Sequence, residues 1–396
     1  MPFSFVTAAR WRHPVFVLAL IAALACAVAP PARAQLFETR AEQAMLLDVG
    51  SGTILFAKNP DVPIPPASLA KLMTMEVVFH ALKMGRLTMD DTFLVSENAW
   101  RTGGAASGTS TMFAEINSEI RLEDLIKGVI VQSANDGCII IAEGIAGSEA
   151  AFAQLMNERA RELGLEGSNF VNSTGLPAEG QAVTMRDLIT LALHIQRTYP
   201  EFYEFYSQRE FTWNGITQRN RNPLLPMEIG ADGFKTGFTE ASGYAIVGSV
   251  ARDGRRLIVA MSGLESERMR AEEARKMLDW GMRAFEPHSL FDAGDEVGNV
   301  RLYGGERGSV PVRLIDPLTV LMPLTGQSSL RAAIVFDGPV PAPVGEGDRI
   351  ADLHIYFGDE LAHSAPLEAA QSVERGPIHR QALDALLELA IGWIRT

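Results

Sequence analysis

A serine and a lysine three residues apart are the first groups along the chain that can do chemistry. Ser68 and Lys71 stand just after two prolines and at the start of an apolar helical pattern. Residues three apart on a helix share a face, so the lysine amine lies over the serine hydroxyl. A serine is a weak nucleophile until a base takes its proton, and a lysine of lowered pKa can be that base. The pair could therefore carry acyl transfer through a serine, but Ser-x-x-Lys is a common pattern, and alone it favours a capping serine beside a surface lysine.

Two further motifs carry polar groups of matching chemistry. Ser133 and Asn135 lie between two helical patterns, which predicts a tight helix–helix turn. Residues 235–237 read Lys-Thr-Gly and lead into a strand pattern that begins near Gly243. A cation, a hydroxyl and an unobstructed backbone at a sheet edge suit a carboxylate ligand. Each motif alone is weak, since a second Ser-x-Asn occurs at residues 96–98.

Taken together, the three motifs are specific. In this order and at these separations they resemble the active-site set of penicillin-binding proteins and serine β-lactamases. Their flanking residues are similar to those of the low-molecular-mass D-alanyl-D-alanine carboxypeptidases, and the resemblance runs from about residue 38 through the last helix. The segments that carry it are 65–74, 95–101, 133–138, 172–177 and 233–239.

The resemblance implies a role for each residue of the first two motifs. Ser68 would be the acylated nucleophile, and Lys71 would be its general base. Ser133 would relay a proton toward the leaving D-alanine. Asn135 would hold a carbonyl or side-chain amide of the substrate and would order Lys71.

The same resemblance assigns substrate binding to the third motif. Lys235 would lower the pKa of Lys71 and, with Thr236, would bind the terminal carboxylate of the substrate. Gly237 belongs to this substrate-binding set. Arg270, near the start of the last helix of this domain, falls where the family has an arginine that reaches the substrate carboxylate, with Arg268, two positions away, as the alternative.

Two backbone donors belong to the expected site, and two neighbouring residues, Glu166 and Cys138, are not expected to take part in it. The backbone N–H groups of Ser68 and Phe238 would form the oxyanion hole that tetrahedral intermediates need. Some relatives have His where Phe238 stands, so a side-chain role is absent there. Glu166 lies roughly where a class A β-lactamase keeps its deacylation base, but its surroundings follow the carboxypeptidase pattern and predict a surface residue. Cys138 is predicted to be a buried apolar thiol.

Strand and helix patterns alternate over residues 35–285, the block that must position these groups. Strands at both ends of the block predict one mixed sheet whose edges come from the two ends. The predicted helices are 69–84, 122–132, 136–146, 149–163, 184–197 and 268–285. The predicted strands are 44–48, 52–57, 243–250 and 257–262. The fold class is therefore α+β, with a penicillin-binding/serine β-lactamase-like transpeptidase domain.

The rest of the chain predicts two more parts. Residues 286–376 carry short alternating runs between Gly, Pro and Asp turns, which is typical of a small β-sandwich domain. Residues 377–396 carry an amphipathic pattern in which Gln381, Asp384 and Glu388 share one face. This pattern predicts a helix that lies in a membrane surface, with packing on the body of the protein as the alternative.

Residues 1–34 predict a secretory signal. Basic residues precede an uncharged apolar run over 14–29, and a small-x-small sequence ends at Ala34. The alternative is an uncleaved anchor, but the run is shorter than the ~20 residues that a span needs. Since Cys26 lies in this segment, Cys138 is the only cysteine of the expected mature chain and no intrachain disulfide is expected.

Composition excludes several classes of protein. The chain is 47% hydrophobic and 21% charged, which is typical of folded soluble proteins. Its formal net charge of −13 does not suit a nucleic-acid binder, which needs a basic surface. The histidines form no metal-binding pattern, and the glycine-rich tract at 103–108 lacks the setting of a phosphate loop, so neither metal nor nucleotide cofactor is expected.

The predicted protein is a periplasmic serine DD-carboxypeptidase that removes the terminal D-alanine of peptidoglycan pentapeptides. We expect β-lactam antibiotics to acylate Ser68, and the terminal helix to attach the protein to the outer face of the inner membrane. A DD-endopeptidase and a weak β-lactamase share the same site and remain as alternatives. A catalytically silent wall-binding protein is disfavoured by the intact motifs.

Overall fold

The computed structural model describes residues 37–324, 330–358, 360–379, 381–382 and 385. Its α-helices are α1 (Lys71–Lys83), α2 (Leu122–Lys127), α3 (Asn135–Ala146), α4 (Glu149–Glu162), α5 (Met185–Thr198), α6 (Pro200–Tyr203) and α7 (Glu267–Arg283). Its first nine strands are β1 (Gln43–Asp48), β2 (Ile54–Lys58), β3 (Thr92–Leu94), β4 (Glu119–Arg121), β5 (Glu210–Trp213), β6 (Ile216–Arg219), β7 (Ala231–Thr239), β8 (Gly243–Arg252) and β9 (Arg255–Leu264). The later strands are β10 (Phe285–Phe291), β11 (Glu296–Tyr303), β12 (Ser309–Leu314), β13 (Leu318–Pro323), β14 (Leu330–Val335), β15 (Val340–Pro341), β16 (Arg349–Phe357) and β17 (Glu360–Ala369).

The sheet that carries the site has the strand order β2-β1-β9-β8-β7. Its edge strands come from the two ends of the first block, as the sequence pattern predicted, although the edge strand β7 itself was not among the predicted strands. All four pairings are antiparallel, whereas a mixed sheet was expected. Three of these pairings, β1–β2, β7–β8 and β8–β9, join strands linked by tight turns, and only antiparallel strands can be joined so closely.

Helix α1 lies in the interior of this block. Leu72, Met73, Met75, Val78 and Phe79 are each at most 1% exposed. A helix that is apolar on nearly every side belongs in a core rather than at a surface. The residues at the N-terminal end of α1 are therefore held by packing on all sides.

The second block, which follows α7, is all β among its described residues. One sheet has the order β14-β16-β17-β12-β11-β15, and β10 pairs with β13 in another. Side chains of both sheets meet in one buried cluster that includes Val300, Val312, Val320 and Ile355. Burial alternates along β12 and β16, as expected for strands with one face in a core.

The alternating runs at 296–302, 308–314, 319–322, 331–336 and 349–357 predicted strands, so three strands of this block, β10, β15 and β17, were not predicted. Strand β10 begins only two residues after α7 ends, so the predicted helix ran too far, to residue 285. Strand β17 contains Pro366, which lacks an N–H and argues against a strand in a sequence pattern. In the structure Pro366 lies opposite Asp352 of β16, and the pairing continues on both sides.

The two ends of the chain are largely outside the described residues. The predicted signal, 1–34, lies there entirely, and so does most of the predicted helix over 377–396. In the described part of the chain, no single helix has the length and apolar character to cross a membrane. Helices α3 and α4 meet that criterion only as a pair, and they are bent by 84°.

Candidate active site

Ser68 lies in a short 3₁₀ segment, Ala67–Ala70, that runs directly into α1. Ala67 has φ +48°, a left-handed conformation that residues with a Cβ rarely adopt. Two glycines permit close contacts around it: a Cβ at Gly237 would lie 3.0 Å from the Ala67 Cβ, and one at Gly175 would lie 1.7 Å from the Ala67 carbonyl oxygen. Strand β7 and the 172–177 loop thus hold the segment that presents the half-buried Ser68.

Lys71 is the first residue of α1 and is 1% exposed. Its ammonium group donates to Ser68 Oγ at 3.0 Å, to Asn135 Oδ1 at 2.7 Å and to the carbonyl oxygen of Thr174 at 2.5 Å. Burial is the largest cause that lowers the Lys71 pKa to about 8. An amine of lowered pKa in direct contact with a serine hydroxyl has the geometry of a general base.

The turn between two helical segments brings Ser133 and Asn135 to the cavity that Ser68 lines, and Asn135 beside Lys71. Ser133 has φ +67° and follows a π-helical segment, Gly128–Gln132, and α3 begins at Asn135. Asn135 accepts from Lys71 and donates through Nδ2 to Thr109 Oγ1 at 2.9 Å. The buried Ser133 Oγ has no hydrogen-bond partner in the part of the chain that the structure describes. This hydroxyl is therefore available to a group that enters the site.

A buried carboxylate fixes the loop opposite this turn. Asp136 accepts from Thr111 Oγ1 at 2.5 Å and from the backbone N–H groups of Met112 at 3.0 Å and Ala114 at 3.1 Å. It therefore holds the loop that supplies Thr109 against the start of α3. Sequence reasoning did not single out Asp136, although it directly follows Asn135.

Strand β7 supplies the third motif. Lys235 and Thr236 are buried, and the Lys235 ammonium donates to the Thr236 carbonyl oxygen at 3.1 Å. Burial, followed by repulsion from Lys71, holds the Lys235 pKa well below its usual value. We expected Lys235 to lower the pKa of Lys71; the main cause of the lowered Lys71 pKa is burial, and repulsion between the two ammonium groups acts beside it.

One cavity of about 610 Å³ joins the three motifs. Arg270 lines it and is 6% exposed, whereas the Arg268 side chain is 84% exposed and pairs with Glu272. The structure thus separates the two arginines that the sequence left close together. The cavity is lined by Ser68, Gly108, Thr109, Ser110, Ser133, Asn135, Leu176, Arg221, Pro223, Thr236, Gly237, Phe238, Glu267 and Arg270.

Sequence reasoning missed two charged residues of this cavity, Arg221 and Glu267. Glu267 lies one helical turn before Arg270, and that spacing could have indicated it. Arg221 precedes β7 in an irregular loop, where no periodic pattern marks it. Two other expectations are confirmed: Cys138 is fully buried, with burial raising its pKa to about 12, and Glu166 is exposed.

These contacts define a class of enzyme. A serine hydroxyl touches a buried lysine of lowered pKa, an amide orients that lysine, and cationic side chains line the same cavity. This is the arrangement of a serine acyl-transfer hydrolase that uses a lysine base, and the α+β domain followed by a small β domain is the penicillin-binding type of fold.

Comparison with known proteins gives the family. Residues 27–265 match the model of the D-alanyl-D-alanine carboxypeptidase family, and residues 285–375 match the C-terminal domain of penicillin-binding protein 5. The chain is 35% identical to D-alanyl-D-alanine carboxypeptidase DacD of Escherichia coli, over 88% of this chain and 90% of that protein. Penicillin-binding protein 5 of Haemophilus influenzae is 35% identical, with a TM-score of 0.69 over 88% of this chain and all of that one. The chain belongs to the D-alanyl-D-alanine carboxypeptidase family and is a serine peptidase of that type.

We expect Gly175→Ala to inactivate the enzyme by displacing Ala67. The new Cβ would overlap the Ala67 carbonyl oxygen, and Gly175 already has φ +82°. Gly180→Ala is the matched control, because Gly180 has φ +80° but its Cβ would have 3.8 Å of room. Both variants place an alanine in a left-handed backbone conformation, which lowers the free energy of unfolding by about 1 kcal/mol. Acylation by a penicillin, followed by mass spectrometry, should be lost in Gly175→Ala alone; equal acylation of the two variants would contradict this account.

Proposed function

We propose that acylation begins when Lys71 takes the Ser68 hydroxyl proton. Ser68 Oγ then attacks the carbonyl carbon of the penultimate D-alanine. The resulting oxyanion receives hydrogen bonds from the backbone N–H groups of Ser68 and Phe238. The 3.0 Å contact between Lys71 Nζ and Ser68 Oγ carries the proposal, because it joins the base to the nucleophile before substrate binds.

The peptide bond breaks as the leaving D-alanine nitrogen takes a proton. We place Ser133 on that proton path, because its buried hydroxyl is unpaired in the described structure and lines the same cavity. The carboxylate of the leaving D-alanine is bound by Thr236 and Arg270, with Lys235 contributing positive charge behind them. Gly237 lets β7 approach the Ser68 segment closely. Water then hydrolyses the acyl-enzyme and releases the shortened peptide.

The experiment that tests this function measures D-alanine released from a soluble peptidoglycan pentapeptide. A cross-linked muropeptide dimer and a penicillin are assayed beside it. We expect release from the pentapeptide at the highest kcat/KM. Faster cleavage of the dimer would establish the endopeptidase alternative, and rapid penicillin turnover would establish the β-lactamase alternative.

The acylation rate should rise with pH through a single step near pH 8. Only the neutral amine can accept the serine proton, and the Lys71 pKa of about 8 leaves most of it protonated at pH 7. Stopped-flow acylation by a chromogenic β-lactam between pH 6 and 9 measures the step. A rate that stays flat over this range would contradict Lys71 as the base.

We further propose that residues 377–396 attach the protein to the outer face of the inner membrane. The support is the amphipathic sequence pattern, which carries a Trp on its apolar side. The domain boundaries proposed with it are 35–285 for catalysis, 286–376 for the β-sandwich and 1–34 for the signal.

A chain that ends at Gly376 tests the attachment. We expect the full mature chain to float with inner-membrane vesicles and the shortened chain to remain in the supernatant, with unchanged D-alanine release from soluble peptide. Flotation of the shortened chain would contradict attachment through this segment.

A further inference from the structure

Arg270 has an unusual environment for a buried cation. Its Nε is buried and has no hydrogen-bond partner among the described residues. Buried guanidinium groups are commonly held by a carboxylate. The group that faces this one is an aromatic ring instead: the guanidinium carbon lies over the ring of Tyr244, 5.6 Å from its centroid.

Tyr244 lies behind the cavity rather than on its wall. It stands on β8, opposite Phe238 of β7, and the two rings have centroids 4.3 Å apart with an interplanar angle of 34°. Phe238 and Arg270 both line the cavity, whereas Tyr244 is absent from its lining. Tyr244 can therefore act on substrate only through these two neighbours.

An aromatic face holds a cation differently from a carboxylate. The ring attracts the guanidinium electrostatically and does not form the paired N–H···O hydrogen bonds that a carboxylate forms. A carboxylate would take up two N–H donors of Arg270 and neutralise its positive charge. Glu267, one turn earlier on α7, is exposed at the cavity and acts on Arg270 through its charge, with no ion pair between them among the described residues. An Arg270 held by a ring keeps its donors available for a substrate carboxylate.

We propose that Tyr244 is a positioning residue that holds Arg270 ready for the carboxylate of the leaving D-alanine. Tyr244 thereby sets the preference of the enzyme for peptides with a free C-terminal carboxylate. The inference rests on the proposed function, because it assumes that Arg270 binds that carboxylate.

The test compares two N-acylated peptides that end in D-Ala-D-Ala, one with a free carboxylate and one with a C-terminal amide. The quantity measured is the ratio of their kcat/KM values. We expect Tyr244→Leu to lower this ratio about tenfold, mainly through a higher KM for the free acid. Tyr244→Phe keeps the ring and should keep the wild-type ratio. Tyr244→Met serves as a second non-aromatic variant, and thermal melting confirms that each variant is folded.

A double-mutant cycle separates positioning from general damage. In the Arg270→Gln background, Tyr244→Leu should change the ratio no further, because the group it positions is gone. An unchanged ratio in Tyr244→Leu, or equal losses on both peptides, would overturn the inference while leaving the proposed function intact. Absence of D-alanine release by the wild-type protein would overturn the proposed function and the inference together.

Discussion

Replacing Ser68 by alanine is expected to abolish both D-alanine release and covalent labelling by penicillin. The variant lacks the oxygen that forms the acyl-enzyme, and the Lys71 amine cannot replace it while it also donates to Asn135 and the Thr174 carbonyl. Loss of a serine nucleophile typically lowers kcat by about 10⁴-fold or more. The measurements are D-alanine release from the pentapeptide and the mass of the protein after incubation with a penicillin.

Ser96→Ala is the matched control for this variant. Ser96 stands in the other Ser-x-Asn sequence, but its hydroxyl donates to Glu143 at 2.5 Å and does not line the cavity. We expect this control to keep full labelling and full D-alanine release. A penicillin adduct that persists in Ser68→Ala would show that another residue is the nucleophile.

The parts of the site that sequence could predict are those set by local geometry. Ser68 and Lys71 share a face because they are three residues apart at a helix start, and the structure joins them at 3.0 Å. Alternation and turn signals predicted β1, β2, β8 and β9, but not the edge strand β7 that carries Lys235 and Thr236. Asn135 was predicted from the order of the three motifs, because no local pattern places it beside Lys71.

The remaining contacts depend on long-range packing that no pattern encodes. The third acceptor of Lys71 is the backbone carbonyl of Thr174, a group that every residue type possesses. Arg221 reaches the cavity from an irregular loop, and Tyr244 acts from the strand behind it. The main cause of the lowered Lys71 pKa is burial, which is a property of the fold and not of the motif.

Lys71→Gln is expected to slow acylation by about 10³-fold, the range in which a general base contributes. Glutamine can still occupy the space and hydrogen-bond to the neighbours of Lys71, but it cannot accept the Ser68 proton as an amine does. Lys83→Gln, at the exposed end of the same helix, is the control and should keep the wild-type acylation rate. The rate is measured with a chromogenic β-lactam under single-turnover conditions.

The same variant has a stability signature that loss of activity alone would not produce. The Lys71 pKa is about 8 in the folded protein and 10.5 in the unfolded chain, so the unfolded state binds more protons between these values. The penalty for burying the charge is fully present below pH 8 and disappears as the pH rises toward 10.5. Between pH 8 and pH 10.5, the free energy of unfolding of the wild type should therefore rise by about 3 kcal/mol relative to that of Lys71→Gln. Urea unfolding at pH 7 and pH 10 measures the change; parallel curves for wild type and Lys71→Gln would show that Lys71 is not the buried, charge-strained base that the site requires.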